Sequence, residues 1–314
     1  MRVTRVALAV ALLLGACTAD RPPPPPERGG GLVAQVASYE PVAGGGNRLI
    51  VGLLTEDNLF VSGGEASFAL AFLGEEGGAP QPSGKTAATY LPIVEPGAAP
   101  PPPRPTIGPA SQVGRGVYAA YDVSFDRAGP WQVEVSVEVG GSTRKATAAF
   151  QVLPESLVPG VGEKAPRTEN LTLDTPDAPP GAIDSRAATG QAVPDPELHR
   201  TTIAELIRRG RPFLAVFATP VYCVSRFCGP ITDMVDGLRE EWGDRVAFVH
   251  VEIWRDFQGQ VVNQAAAEWL QTPDGGLTEP WIFLVGADGR VIARWDNVAT
   301  PQEVEPFLDD LPAD

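Results

Sequence analysis

Cysteine, histidine and methionine are scarce in this chain, which holds three, two and two of them in 314 residues. A site built from many Cys or His ligands is thereby excluded. Basic charge is also short, with 24 Lys and Arg against 39 Asp and Glu and a formal charge of −15. That balance excludes a nucleic-acid binder that works by phosphate neutralisation. Abundant instead are glycine and proline, 34 and 33 residues, an excess that a compact domain would confine to a few segments. With 43% hydrophobic residues there is enough apolar surface for a core, and the length suits two domains better than one.

At the N-terminus Arg2 and Arg5 precede an unbroken apolar run from Val6 to Leu14, a basic region followed by a short hydrophobic one. As a helix that run rises only about 13 Å, too little to cross a bilayer. It ends in Leu14-Gly15-Ala16-Cys17, which resembles the lipobox of bacterial lipoproteins. The resemblance implies a signal peptide over residues 1–16, lipidation of Cys17, attachment to a membrane through lipid, and an extracytoplasmic place in the cell envelope. Residues 17–31 then read as a tether, a stiff run from Pro22 to Pro26 followed by flexible Gly29-Gly30-Gly31.

From residue 32 to 153 the pattern is that of strands. Trp131, Val133, Val135, Val137 and Val139 alternate with Gln132, Glu134, Ser136 and Glu138, the period of a half-buried strand. Further strands are predicted over 32–37, 47–53, 66–73, 117–125 and 145–152, and six or seven short strands suggest a β-sandwich. The segment from Tyr121 to Trp131, with Ala128-Gly129 at its turn, resembles the penultimate hairpin of exported immunoglobulin-like domains of the YtkA type. The proline-rich stretch 96–109 cannot join a central strand and reads as a surface loop. Nothing marks this domain as catalytic, so it is expected to serve as a spacer or docking module.

Residues 154–195 read as a linker and lead-in. Beyond them, 196–314 give the order helix, strand, helix, strand, helix, strand, strand, helix. Thr202-Ile203-Ala204-Glu205 forms a capping box, and Phe213 to Phe217 reads as a buried strand. Pro230 is placed to start a helix with an apolar face of Ile231, Met234, Val235, Leu238 and Trp242. Strand 246–253, a weaker helix 261–270, the hairpin 281–295 and a helix capped at Thr300 complete the series. Cys228-Gly229-Pro230, the Glu279-Pro280 pair before the hairpin, and Val161 to Pro166 in the lead-in resemble thioredoxin-like domains of the redoxin/TlpA-like kind. The fold class is therefore expected to be multidomain, an all-β immunoglobulin-like sandwich followed by an α/β thioredoxin-like fold. The resemblance gives Pro280 the place of the cis-proline beside a redox disulfide.

Departures from that pattern shape the functional reading. Ile231 stands where the second cysteine would be, and the available partner of Cys228 is Cys223. On a continuous helix their Cα atoms would be about 8.6 Å apart, beyond the ~7 Å a disulfide tolerates, so the segment is either a loop or unwinds on oxidation. A position just ahead of a helix starting at Pro230 makes Cys228 the first choice of nucleophile. Counting from the end of the preceding strand selects Cys223 instead. Val216 stands where thioredoxins carry a buried Asp.

Thiol–disulfide exchange with an exported client protein is the leading reading, with Cys223, Cys228 and Pro280 as its working residues and Tyr222, Arg226 and Phe227 as client contacts. A binding or scaffold protein with a structural disulfide is the first alternative. Copper handling is the second, since copper(I) suits two thiolates and a histidine. Peroxide reduction ranks below exchange, because Pro220 and Pro280 stand where a Thr and an Arg would be needed. His250 reads as a satisfied core histidine on a central strand, and His199 has no obvious partner. No cofactor and no resident metal are expected.

Overall fold

A computed structural model describes residues 31–74, 79–93, 100–225 and 227–312. The expected signal peptide, Cys17, most of the tether and Arg226 lie outside the described residues. Residues 31–314 belong to one compact unit. Among the described residues, no helix is long and apolar enough to cross a membrane.

The first half is built of strands β1 (Leu32–Val36), β2 (Gly44–Thr55), β3 (Phe60–Ser62), β4 (Glu65–Phe72), β5 (Gln81–Ile93), β6 (Thr106–Gly108), β7 (Arg115–Phe125), β8 (Gly129–Val139) and β9 (Ser142–Val152). A single helical turn, α1 (Ala110–Val113), precedes β7. The strands bond in the order β6-β3-β2-β7-β5-β4-β8-β9, with β1 added to β2. One hydrogen-bonded path encloses a core because β5 turns a corner: residues 81–89 pair with β4, and residues 89–93 pair with β7. The result is a β-sandwich whose two layers share a strand. Trp131, Phe68, Tyr118 and Phe125 fill it, with Trp131 edge-on to Phe125 at 5.0 Å and its indole N–H donating to the Arg127 carbonyl.

The predicted alternation of β8 is observed, with Trp131, Val133, Val135 and Val137 buried. Strands β3, β5 and β6 are additions to the expected set. In β5, residues 81–85 are exposed on both faces, so no alternation marks them. The proline-rich loop ends in β6, itself the edge strand of the path and paired only with β3, the place where nearby prolines are tolerated.

In the second half a short helix α2 (Pro180–Ile183) and two 3-10 turns, Ser185–Ala187 and Pro196–His199, lead to α3 (Ile203–Arg209), β10 (Phe213–Ala218), α4 (Cys228–Trp242) and β11 (Ala247–Glu252). A small hairpin of β12 (Trp254–Asp256) and β13 (Val261–Val262) follows, then α5 (Gln264–Leu270), β14 (Trp281–Val285), β15 (Val291–Asp296) and α6 (Pro301–Asp309). The four-stranded sheet runs β11-β10-β14-β15, with β10 and β11 parallel and the other pairs antiparallel. Alternate residues of β10 serve opposite faces. Phe213, Ala215 and Phe217 pack with Ile203, Ala266 and Trp269, whereas Leu214, Val216 and Ala218 pack with Val235, Leu238 and Leu308.

Two local expectations change. Thr202 accepts the Glu205 amide as predicted, but the Glu205 carboxylate turns to Arg208 and Arg209, so the box is half made. At Thr300 both halves form with Glu303. Strand β11 is at the sheet edge rather than its centre. Its free side is covered by α2 and the turn Pro196–His199, so the passage read as a linker is part of the packed structure.

The halves meet through polar contacts around one cation. Arg48, on β2, bonds to Glu303 at 2.8 Å and to Asp296 at 3.3 Å, and Tyr121 donates to Glu303 at 2.8 Å. Burial acts against the Arg48 charge, but Glu303 and Asp296 outweigh it and raise its pKa. Beside this network Ile50, Leu91, Val117, Ala119 and Val298 form an apolar seam.

Candidate functional site

Strand β10 ends at Ala218 and α4 begins at Cys228. Between them the chain loops outward, with the Cys223 amide donating to the Thr219 carbonyl at 3.1 Å and the Val221 amide to the Ser185 hydroxyl at 3.1 Å. Because this stretch is a loop, Cys223 and Cys228 come within 6.0 Å at Cα and form a disulfide. Helix α4 starts two residues earlier than expected, and Pro230 sits in its first turn, where its missing N–H costs nothing.

The two sulfurs differ in access. Cys228 is fully buried, while Cys223 is half-buried, its sulfur 3.2 Å from the Ser225 hydroxyl and 3.4 Å from the Cys228 amide. The cysteine expected from helix position to be the nucleophile, Cys228, is thus the less accessible of the two. Burial, which the sequence does not display at a Cys-Gly-Pro turn, makes Cys223 the sulfur an outside group can reach.

Glu279 lies on the other side of the pair. Its Oε2 is 3.6 Å from Cys228 Sγ, and the Glu279–Pro280 peptide that follows is cis. Burial, then the charge of Glu252, push the Glu279 carboxyl up to about 7, against a hydrogen bond from the Thr219 backbone. Sequence reasoning used Glu279 only as the neighbour of Pro280. The carboxyl is missed because β14 approaches α4 only through the tertiary fold. The backbone carbonyl of Glu279 accepts the phenol of Tyr39, from the sandwich. Tyr39 also packs at 5.8 Å against Trp281, and burial, then Asp296 and Glu279, raise its pKa.

The expected client contacts separate. Tyr222 stacks flat on Phe257 at 3.9 Å, and Phe227 packs toward Val298 and the seam between the halves. They do not form one lip. The apolar residues exposed beside Cys223 are Val221 and Val224. Val224, Phe227 and Glu279 also line a cleft of about 630 Å³, whose other wall is Val36, Tyr39 and Leu53 of the sandwich.

A second polar cluster lies beneath β10 and β11. Asp184, His199 and His250 are fully buried, with the imidazoles 5.1 Å apart in an edge-on arrangement. Asp184 bonds to Arg186 at 2.8 Å. Although burial opposes it, the neighbouring His199, His250 and Arg186 side chains hold the Asp184 carboxyl below its usual range. His199 is lowered, mainly by burial; His250 is raised, because its contact with Asp184 outweighs burial. His250 is thus packed as expected, whereas the neighbour of His199 is Asp184, which no local pattern in the sequence pairs with it; Glu252 accepts the Ser185 amide. The donor group around the cysteines is Cys223, Cys228 and Glu279, and both histidines belong to the other group, so the copper arrangement of two thiolates with a histidine is not formed.

No protein-family model matches the chain, and no curated protein matches it. Among solved structures, the chain is similar to the solution structure of the PKD domain from human VPS10 domain-containing receptor SorCS2. The likeness is at 13% identity over 50% of this chain and 98% of that one, with a TM-score of 0.19, and at that score it carries no weight for fold or function.

Proposed function

We propose that this protein is a membrane-anchored, extracytoplasmic thiol–disulfide exchange protein whose C-terminal half is thioredoxin-like and whose N-terminal half is immunoglobulin-like. The observation that carries the reading is the asymmetry of the Cys223–Cys228 bond, one sulfur half-exposed in a loop and the other buried beside the Glu279 carboxyl. A structural staple has no use for a proton donor at one of its sulfurs.

A client thiolate attacks Cys223 Sγ, the Cys223–Cys228 bond breaks, and a client–Cys223 mixed disulfide forms as Cys228 leaves as thiolate. Protonated Glu279 supplies the proton that neutralises this buried thiolate. A second client thiolate then attacks the client sulfur of the mixed disulfide and releases Cys223. The client dithiol is oxidised to a disulfide and the protein's pair is reduced, a two-electron exchange. Val221 and Val224 offer the apolar contact for an exported client. Anchoring of such a protein follows from Cys17 and its lipobox-like surroundings.

The test is the reduction potential of the pair in the full-length protein, equilibrated in thiol buffers with free thiols counted by mass. A value above about −250 mV supports exchange; one below about −300 mV identifies a staple and moves the protein to the binding class.

A further inference from the structure

We propose that Asp184, His199 and His250 form a binding site for a divalent first-row transition ion, with zinc as the probe. This site is separate from the cysteine pair and does not depend on the redox reading. Its three side chains come from the turn after α2, the turn before α3 and strand β11. All are fully buried, and their ligand atoms lie within 4.8 Å of one another. Asp184 Oδ2 stands 3.3 Å from His250 Nδ1 and 3.5 Å from His199 Nε2. Donors held at ~2.0–2.1 Å around a tetrahedral zinc are themselves about 3.3 Å apart, so these two spacings already suit an ion.

The proton inventory points the same way. His250 Nε2 is 3.0 Å from the Ala218 carbonyl, which only accepts, so Nε2 carries hydrogen. In a neutral imidazole Nδ1 then presents a lone pair, and it faces a carboxylate oxygen that presents another. A positive species, either a second ring proton or a metal, must separate them. Neither nitrogen of His199 has a hydrogen-bond partner, and an unpaired polar atom in a dry core is costly. One ion would take a lone pair from each ring, at His250 Nδ1 and His199 Nε2. The hydrogen bond from His250 Nε2 to Ala218 is also the outer contact that orients metal-ligating histidines.

Charge favours the ion over two extra protons. Arg186 contacts three carboxylates, Asp184 at 2.8 Å, Asp195 at 2.7 Å and Asp233 at 3.4 Å, and one guanidinium against three anions leaves two negative charges. Arg186 holds Asp184 through both oxygens, but each carboxylate oxygen has two lone pairs, and one remains for a metal. Two imidazoles and a carboxylate suit a borderline ion such as zinc better than calcium, magnesium or copper(I). The group contains no fourth protein ligand among the described residues, which leaves a position for water or another small donor.

The full-length protein, stripped with a chelator, is titrated with zinc while bound metal is counted by elemental mass spectrometry. The expected result is one zinc per chain, a Tm that rises with free zinc, and visible bands of a tetrahedral site when cobalt replaces it. Joint replacement of Cys223→Ser and Cys228→Ser, which removes the other donor group, should leave that zinc in place. His199→Gln and His250→Gln should each weaken binding at least tenfold. Should those variants not fold, the cobalt spectrum of the cysteine-free protein decides alone. Zinc that departs with the cysteines would overturn the site. So would a stripped protein that binds no zinc and shows by NMR a His250 ring carrying both protons, unchanged on zinc addition.

Discussion

Glu279 presents its carboxyl to Cys228 across 3.6 Å, from the loop just ahead of β14, a strand that is apolar on both faces. Where the β10 position gives Val216, the titratable group arrives from the loop that leads into β14 instead. Its carboxyl, pushed up to about 7, is protonated below neutrality, when it can donate to a departing Cys228 thiolate, and ionised above, when it can accept the Cys228 proton. Closure of the disulfide from a mixed disulfide at Cys223 should therefore accelerate as pH rises through about 7. In Glu279→Gln that inflection should vanish and closure at pH 8 should slow by about 10–100-fold. Stopped-flow thiol release across pH 5–9 checks it, and an unchanged profile would remove Glu279 from the reaction.

The same group sets a pH dependence of stability. Its folded-state pKa lies above the ordinary 4.5, so between those values the native protein binds more protons than the unfolded chain. The stabilising contribution of the neutral carboxyl is complete below about 4.5 and is lost as pH rises through about 7. It amounts to at most about 3 kcal/mol, less whatever solvent screening its half-buried position allows. Urea melts of wild type and Glu279→Gln should diverge over this window.

Cysteine variants should behave unequally. Cys228→Ser leaves the accessible Cys223 free and should accumulate mixed disulfide with a small disulfide reagent. Cys223→Ser leaves a buried thiol and should react at least tenfold more slowly. Intact-mass analysis over time reads both. Equal rates would contradict the assignment of Cys223 as the reactive sulfur.

Arg48→Met tests the joint between the halves. It removes a guanidinium held by Glu303 and Asp296 and leaves two largely buried carboxylates without it, a change of about 3–5 kcal/mol. Guanidinium melts followed separately by tryptophan fluorescence and far-UV circular dichroism should move to lower denaturant.

Much of this architecture was legible in the sequence wherever burial is one-sided and local. The alternation from Trp131 to Val137 marked β8, and Ile231, Val235 and Leu238 marked the buried face of α4. Strand β5 was illegible because its first residues are exposed on both faces and its pairing changes partner midway. At the site, Cys223 and Cys228 were found because they are close in sequence. Glu279 was not, because 51 residues separate it from Cys228 and nothing local distinguishes a carboxylate that will be buried. Val221 and Val224 were passed over for Tyr222 and Phe227, since aromatic character shows in a sequence and the outward turn of a loop does not.

The burial of Asp184 against β11 has a consequence for dissecting the molecule. A fragment starting at Pro196 would contain every helix and strand of the second half from α3 onward, yet would leave His199 and His250 facing a hole, and the Ser185 hydroxyl that accepts the Val221 amide would be gone from beneath the disulfide loop. The smallest excised piece expected to keep the loop's shape must therefore reach back past Pro180, so the point where the chain can be cut lies well ahead of the point where the sheet begins.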